Sequence, residues 1–226
     1  CNNTSLRVVK NMIKLYPEST SIPDDAYMLP IHRACCYGVP DVVINALYQS
    51  NKNAIVKNKN MRYSKSLDKG MRATIFGSMG NVYVGNGDYE LACDSYSISL
   101  ILKREVYGNE HVIVAQALTK LSIAHRKLGK LSTAKVYLEE SLSILNRVAN
   151  DSDPELGDTM VQMGKVLSKE RHFNRAHKYF INACRVYKSA KIPPEDPCQC
   201  NLRQLLRQNF ANASKSARAS RKQQSS

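Results

Sequence analysis

Between residues 76 and 184 the apolar positions fall on a helical period, and that pattern itself recurs. Phe76, Met79 and Tyr83 stand at i, i+3 and i+7, one face of a helix. Leu118, Leu121 and His125 take the same places 42 residues on, and Met160, Met163 and Leu167 take them again after another 42. Gly85 and Gly87 interrupt the first segment. A second helix is then predicted from Asp88, read as its N-cap, with Ala92, Tyr96 and Leu100 at i, i+4 and i+8. The stretch GDYELACDSYSISL (87–100) is answered by GKLSTAKVYLEESL (129–142) and RHFNRAHKYFINAC (171–184). Ala92, Ala134 and Ala176 align, as do Tyr89, Leu131 and Phe173, and Tyr96, Leu138 and Phe180. Gly80, Ser122 and Gly164 mark one small position in each first helix. Small residues on both helices predict hairpins whose axes approach closely. The fold class read from this period is all-α.

The run Gly80-Asn81-Val82-Tyr83, then Gly87-Asp88-Tyr89, then Ala92 with Tyr96, resembles the tetratricopeptide repeat. The usual period of that repeat is 34. Here it is 42, about two helical turns longer. With Tyr107-Gly108-Asn109-Glu110-His111 leading into Val114-Ala115, the longer unit resembles the repeats of kinesin light chains. Unit three departs from the pattern: Arg171 replaces the turn glycine, and Asp153-Pro154 replaces the Tyr-Gly lead. That suits an end unit. The resemblance implies a right-handed α-solenoid of helix-turn-helix repeats over residues 71–188, with the first helices lining a concave surface.

Ahead of the repeats, Leu29-Pro30-Ile31-His32-Arg33-Ala34-Cys35 resembles the T-P-L-H-x-A signature of the ankyrin repeat, with Leu29 in place of Thr. Gly38 falls at its turn, and Val42, Val43 and Leu47 in its second helix. Val8, Val9 and Ile13 form an earlier copy 34 residues upstream. The resemblance implies about one and a half ankyrin-like units over residues 1–55, fewer than such an array needs alone. The segment is therefore expected to lean on the neighbouring helices, or to continue a longer array. The chain opens on Cys rather than Met, which reads as a fragment or a processed chain. Residues 56–70, which include the basic stretch NKNMRYSKSLDKG, read as a linker.

Pro193-Pro194 ends the last repeat. Leu202, Leu205 and Leu206 predict a short capping helix, and the Ala-, Ser-, Lys-, Arg- and Gln-rich sequence beyond Asn209 predicts disorder, so residues 189–226 read as cap and basic tail.

Charge adds one alternative. The net charge is +14. Lys52 to Arg72 holds seven basic residues against Asp68, and Asn201 to Ser226 holds six and no acid. Such segments can draw nucleic acid or anionic surfaces. Tyr63 and Phe210 are the only aromatic residues in them, too few to read bases by stacking. No signal-peptide run and no membrane-spanning apolar stretch is present, so a cytoplasmic location is expected.

Chemistry is sparse. Seven cysteines at irregular spacings form no disulfide framework, and Cys198-Gln199-Cys200 lacks a second pair at zinc spacing. The glycines from Gly77 to Gly87 match neither a phosphate loop nor a nucleophile elbow. His32 takes the ankyrin signature position, where the resemblance implies a side chain that ties turns together by hydrogen bonds; His125 takes a packing position of a helix, and His172 and His177 lie five apart, off one helix face. No catalytic residue, metal or cofactor is predicted. The expected function is a non-catalytic scaffold whose repeats hold a peptide of a partner protein. By family register the groove positions include Asn81, Lys120, Arg126 and Lys165, a set that favours acidic segments. Gly77 and Ile123 stand where the carboxylate clamp of some family members would need polar residues, so that clamp is not expected. Two alternatives stand beside this: nucleic-acid or anionic-surface binding through linker and tail, and a targeting module of a larger enzyme.

Overall fold

A computed structural model describes residues 2–22, 24, 29–36, 39, 41–50 and 68–224. The linker positions 56–67, with Tyr63, and the turn residue Gly38 lie outside the described residues. Helices α1 (Asn2–Leu15), α2 (Pro30–Cys36) and α3 (Asp41–Ser50) come first, with a 3-10 turn at Pro17–Ser21. Three hairpins follow: α4 (Lys69–Asn86) with α5 (Tyr89–Tyr107), α6 (Val112–Lys127) with α7 (Leu131–Val148), and α8 (Pro154–Lys169) with α9 (Phe173–Ser189). A long helix, α10 (Pro197–Gln224), closes the chain. No strand occurs among the described residues. The chain divides into two compact units, Cys1–Gly108 and Asn109–Ser226.

Within each hairpin the small and large positions mesh. A Cβ added to Gly80 would stand 2.4 Å from the Tyr96 ring, and one added to Gly164 would stand 2.4 Å from the Phe180 ring. In the middle hairpin the small position is Ser122 and its partner in the repeat is Leu138, so the larger residue on one helix is matched by a smaller one on the other. Ala92, Ala134 and Ala176 are fully buried beside them. Hydroxyls tie the same two helices. Ser99 donates to the Ala73 carbonyl at 2.7 Å, and Ser141, 42 residues later, donates to Ala115 at 2.9 Å. Thr119 lies 2.9 Å from Ser141 and 3.0 Å from Thr159, so a buried chain of hydroxyls links α6, α7 and α8 with its polar atoms satisfied.

Each turn between paired helices is closed the same way. Gly87, Gly129 and Arg171 adopt φ of 85°, 81° and 65°. Their amides reach back to Val84, Arg126 and Ser168, and the next amides, of Asp88, Lys130 and His172, reach back to Tyr83, His125 and Leu167. This double bond from a left-handed residue is the Schellman arrangement. It corrects one expectation. Asp88 precedes α5, but its side chain makes no cap bond. Its ψ of 65° is far from the extended value that turns an N-cap side chain onto the helix amides. The carboxylate instead accepts from the Tyr48 hydroxyl of α3.

That contact is part of how the N-terminal segment rests on the first hairpin. The Tyr48 ring meets Tyr83 edge to face at 5.4 Å, and Asn86 donates to Asn45 at 3.0 Å. Tyr48 is 1% exposed, and burial together with Asp88 raises its pKa well above that of an ordinary phenol. His32 is buried, and its Nδ1 accepts from the Leu29 amide at 3.1 Å. Burial lowers its pKa to about 4, against the pull of Asp24. The ankyrin likeness of residues 29–47 is carried by the sequence alone.

The C-terminal helix differs from expectation. It does not end near Asn209 but continues to Gln224. Residues 198–224 contain no Gly and no Pro and are rich in Ala, Arg, Lys and Gln, which favour helix even where they cannot build a core. Its first half is anchored: Leu202 and Asn209 are buried, and the Asn209 amide donates to the Phe173 carbonyl at 2.9 Å. Asp196 caps it through the Cys198 amide at 2.8 Å, as Asp153 caps α8 through Glu155 at 2.9 Å. Leu202 and Asn209, seven apart, repeat the spacing by which Thr159 and Val166 of α8 are buried. Phe210 remains 71% exposed.

Candidate functional site

The four residues singled out by repeat register are not all in one place. Asn81 belongs to the N-terminal unit, is exposed, and accepts from the Tyr96 hydroxyl at 2.8 Å. Lys120, Arg126 and Lys165 belong to the C-terminal unit and are half-buried. There the first helices α6 and α8 pack side by side. The polar positions they leave unburied form one charged face.

That face has two ends. At one, Glu155 and Asp158 project from the first turns of α8. Burial first, and then Asp158, raises the Glu155 carboxyl, while Gln116 and Lys120 on α6 draw it back down. Asp158 also accepts from the Tyr187 hydroxyl. At the other end Arg126 donates to Gln162 at 3.4 Å. Burial lowers the Lys165 ammonium, the neighbouring Arg126 and Lys127 lower it further, and Asp158 opposes them. Lys120 therefore serves the acidic end, and Arg126 with Lys165 the basic end.

The basic end is hollow. A cleft of about 500 Å³ opens between the last turns of α6 and α8, Phe180 of α9 and the flank of α10. Arg126, Lys127, Lys165 and Lys169 line it, with Asn209 and Asn212 opposite. No acidic side chain lies in its wall. Lys127, Lys169 and the two asparagines were missed by sequence reasoning. The lysines stand 42 apart in the last turns of two first helices, and that recurrence is a legible signal. The asparagines belong to a segment expected to be a cap and tail, so nothing in the sequence brought them here.

Elsewhere the described residues hold no group of three or more His, Cys, Asp or Glu side chains suited to a metal. No helix among them is long and apolar enough to cross a membrane.

The hairpin geometry agrees with the comparisons to known proteins. The sequence profile of the tetratricopeptide repeat matches residues 71–147. Those residues are tetratricopeptide repeats. The third hairpin continues the same geometry beyond them. Among solved structures, BtubC (BKLC) from P. vanneervenii is similar with a TM-score of 0.61 at 17% identity, covering 94% of this chain and 90% of that one. A Podosopora anserina protein of nearly identical TPR-like repeats, described as a kinesin light chain, is similar with a TM-score of 0.58 at 11% identity, covering 96% and 91%. At such identities the likeness is one of fold: an all-α solenoid of tetratricopeptide-like repeats. No curated protein matches the sequence.

Proposed function

We propose that the chain is a non-catalytic adaptor, and that the α6–α8 face holds an extended or helical segment of a partner protein. Repeats of this family mediate protein–protein interaction. The observation that carries the reading here is the charge arrangement on that face. Glu155 and Asp158 occupy one end, and Arg126 and Lys165 the other, while the packing positions between them are filled by apolar side chains. Half-buried charges of this kind cost desolvation free energy, which the Tyr187 hydroxyl offsets in part at Asp158. A partner segment with acidic residues at one end and a basic one at the other would compensate both. The acidic preference expected from Lys120, Arg126 and Lys165 thereby narrows to the basic end.

The test is recovery of partners from a cell lysate on the full chain at physiological salt with nuclease present, beside Lys120→Glu and Lys165→Glu variants. A discrete protein held by the native chain and lost with either variant supports the reading. Nucleic acid alone, or recovery that collapses with nuclease, transfers the function to the basic segments.

A further inference from the structure

Charge is unevenly spread over the C-terminal unit. Residues 171–224 hold 12 of the chain's 33 Lys and Arg residues but only two of its 19 acids. Neither α9 nor α10 carries an acidic residue. Of the two acids in the link between them, Asp196 is engaged as the cap of α10 through the Cys198 amide.

Helical spacing sorts these cations into two rows. On α9, Arg175, Lys178, Asn182 and Arg185 recur at steps of three, four and three, and all four are exposed, away from buried Ala176, Phe180 and Ala183. On α10, Arg203, Arg207, Phe210, Ser214 and Arg218 recur at steps of four, three, four and four, beside buried Leu202 and Asn209. The helices run antiparallel, tied by Asn209 to the Phe173 carbonyl at one end and by Gln199 to the Ile192 carbonyl, at 2.7 Å, at the other. A cleft of about 620 Å³ opens between the rows, with Arg171 and Arg175 on one side and Ser214 and Ala217 on the other. Arg185 donates to Asn182 at 3.3 Å, and Arg203 to the Pro194 carbonyl and to Cys200 Sγ, all neutral acceptors. Among the described residues no carboxylate is ion-paired with any of the six cations of the two rows.

The chemistry of the surface narrows its occupant. Phe210 is the only large apolar side chain exposed on the two helices among the described residues. A protein partner needs an apolar interface core from which charge is depleted, and an anionic membrane needs an apolar helix face to sink into the headgroups; this surface offers neither. One exposed aromatic ring is too little for a stacking platform that would hold a single strand. What remains is a polar, positive, straight surface, and that is the character of duplex nucleic-acid interfaces. The uncharged positions in the rows are Asn182 and Ser214, donors that also serve phosphate oxygens. Four of the six cations are arginines whose side chains can meet a phosphate with two hydrogen bonds. The 17 residues of α9 span about 25 Å, over which a duplex presents about 15 phosphate charges.

We infer that the outer surface of α9 and α10 binds the phosphate backbone of a duplex nucleic acid, without reading its sequence. The surface shares no residue with the proposed peptide face, so the chain would carry a partner protein and a duplex on separate surfaces.

Fluorescence anisotropy of a labelled duplex DNA of about 24 base pairs, longer than either helix at about 3.4 Å per pair, tests it on the full chain, with a duplex RNA of the same sequence as a second arm. Saturable binding is expected with a dissociation constant on the order of 10⁻⁶–10⁻⁴ M at physiological salt, and a log–log salt slope of about −3.6 for four phosphate contacts. The α9 pair Arg175→Gln/Lys178→Gln and the α10 pair Arg207→Gln/Arg218→Gln should each weaken binding at least fivefold and flatten the slope by about two. The control pair Lys10→Gln/Lys14→Gln, exposed on α1, should change affinity less than twofold. The tighter of the two duplexes names the source of the phosphates. Absence of saturable binding to both, or equal weakening by the control pair, overturns the inference. Weakening by the α10 pair alone reduces the site to a basic tail and overturns the two-helix surface. Tighter binding to polyglutamate, or to vesicles of phosphatidylserine and phosphatidylcholine, than to either duplex overturns it in favour of an acidic protein or a membrane. Circular dichroism checks that the variants, all at exposed positions, stay folded. The anisotropy assay contains no partner protein, and a lysate partner that survives nuclease and is lost with Lys120→Glu bears on the adaptor reading alone.

Discussion

At the scale of single residues, contacts across each hairpin are decided by a few tenths of a nanometre. Gly164→Ala places a methyl 2.4 Å from the Phe180 ring and is expected to destabilise by about 1–3 kcal/mol. Adding Phe180→Leu reproduces the Ser122–Leu138 pairing of the middle hairpin and should recover more than 1 kcal/mol of coupling in a double-mutant cycle followed by urea unfolding. His32 makes a pH prediction. Its folded pKa, about 4, lies below the unfolded value of 6.5. Between those values the unfolded chain binds more protons, so stability is lost as pH falls from about 6.5 toward 4. The full loss is about 3 kcal/mol by linkage. Unfolding midpoints at pH 7 and pH 4.5 should differ more for the native chain than for His32→Gln; equal differences would show that His32 titrates normally. These packing positions were legible in the sequence because three copies were in register. The role of Asp88 was not. The same three copies place Lys130 and His172 at its position, and neither is a capping residue, so reading the column rather than the single residue leads to the turn.

At the scale of elements, the repeated turn offers a direct comparison. Gly87 and Gly129 adopt the left-handed conformation without a side chain, and Arg171 adopts it with one. A β-carbon there costs about 1 kcal/mol. Arg171→Gly should therefore raise the unfolding free energy by about that amount, and a decrease would show that the arginine makes a compensating contact. Helix α10 is the element the sequence concealed. Composition bounds what can form a core, and residues beyond Asn209 have almost no apolar bulk. It does not bound what can continue a helix already anchored at Leu202 and Asn209. Leu202→Ala is expected to cost about 2–5 kcal/mol, whereas Phe210→Ala, at a 71% exposed position, should change little. Hydrogen exchange on the Leu202 variant should rise in α9 and α10 and stay unchanged in α1 to α3.

At the scale of the whole molecule, the chain forms two compact units whose boundary, at Gly108 and Asn109, falls inside the matched tetratricopeptide stretch. Repeat arrays gain stability from each unit and from its neighbours in turn, which is why the Leu202 effect is expected to stay within its own unit. The charged face and the basic cleft lie wholly in the C-terminal unit, and their residues come from three separate helices and the tail. Only the periodic part of that set could be read in advance. The pairing of Gly with an aromatic ring in two hairpins, and of Ser with Leu in the third, has a consequence for how such a chain changes over generations. Duplicating or recombining whole hairpins preserves every pair, while a crossover between the two helices of one hairpin sets Tyr or Phe against Ser122, or Leu138 against an empty glycine. The heritable module is then the hairpin rather than the helix, and breakpoints that survive selection should cluster in the links between hairpins.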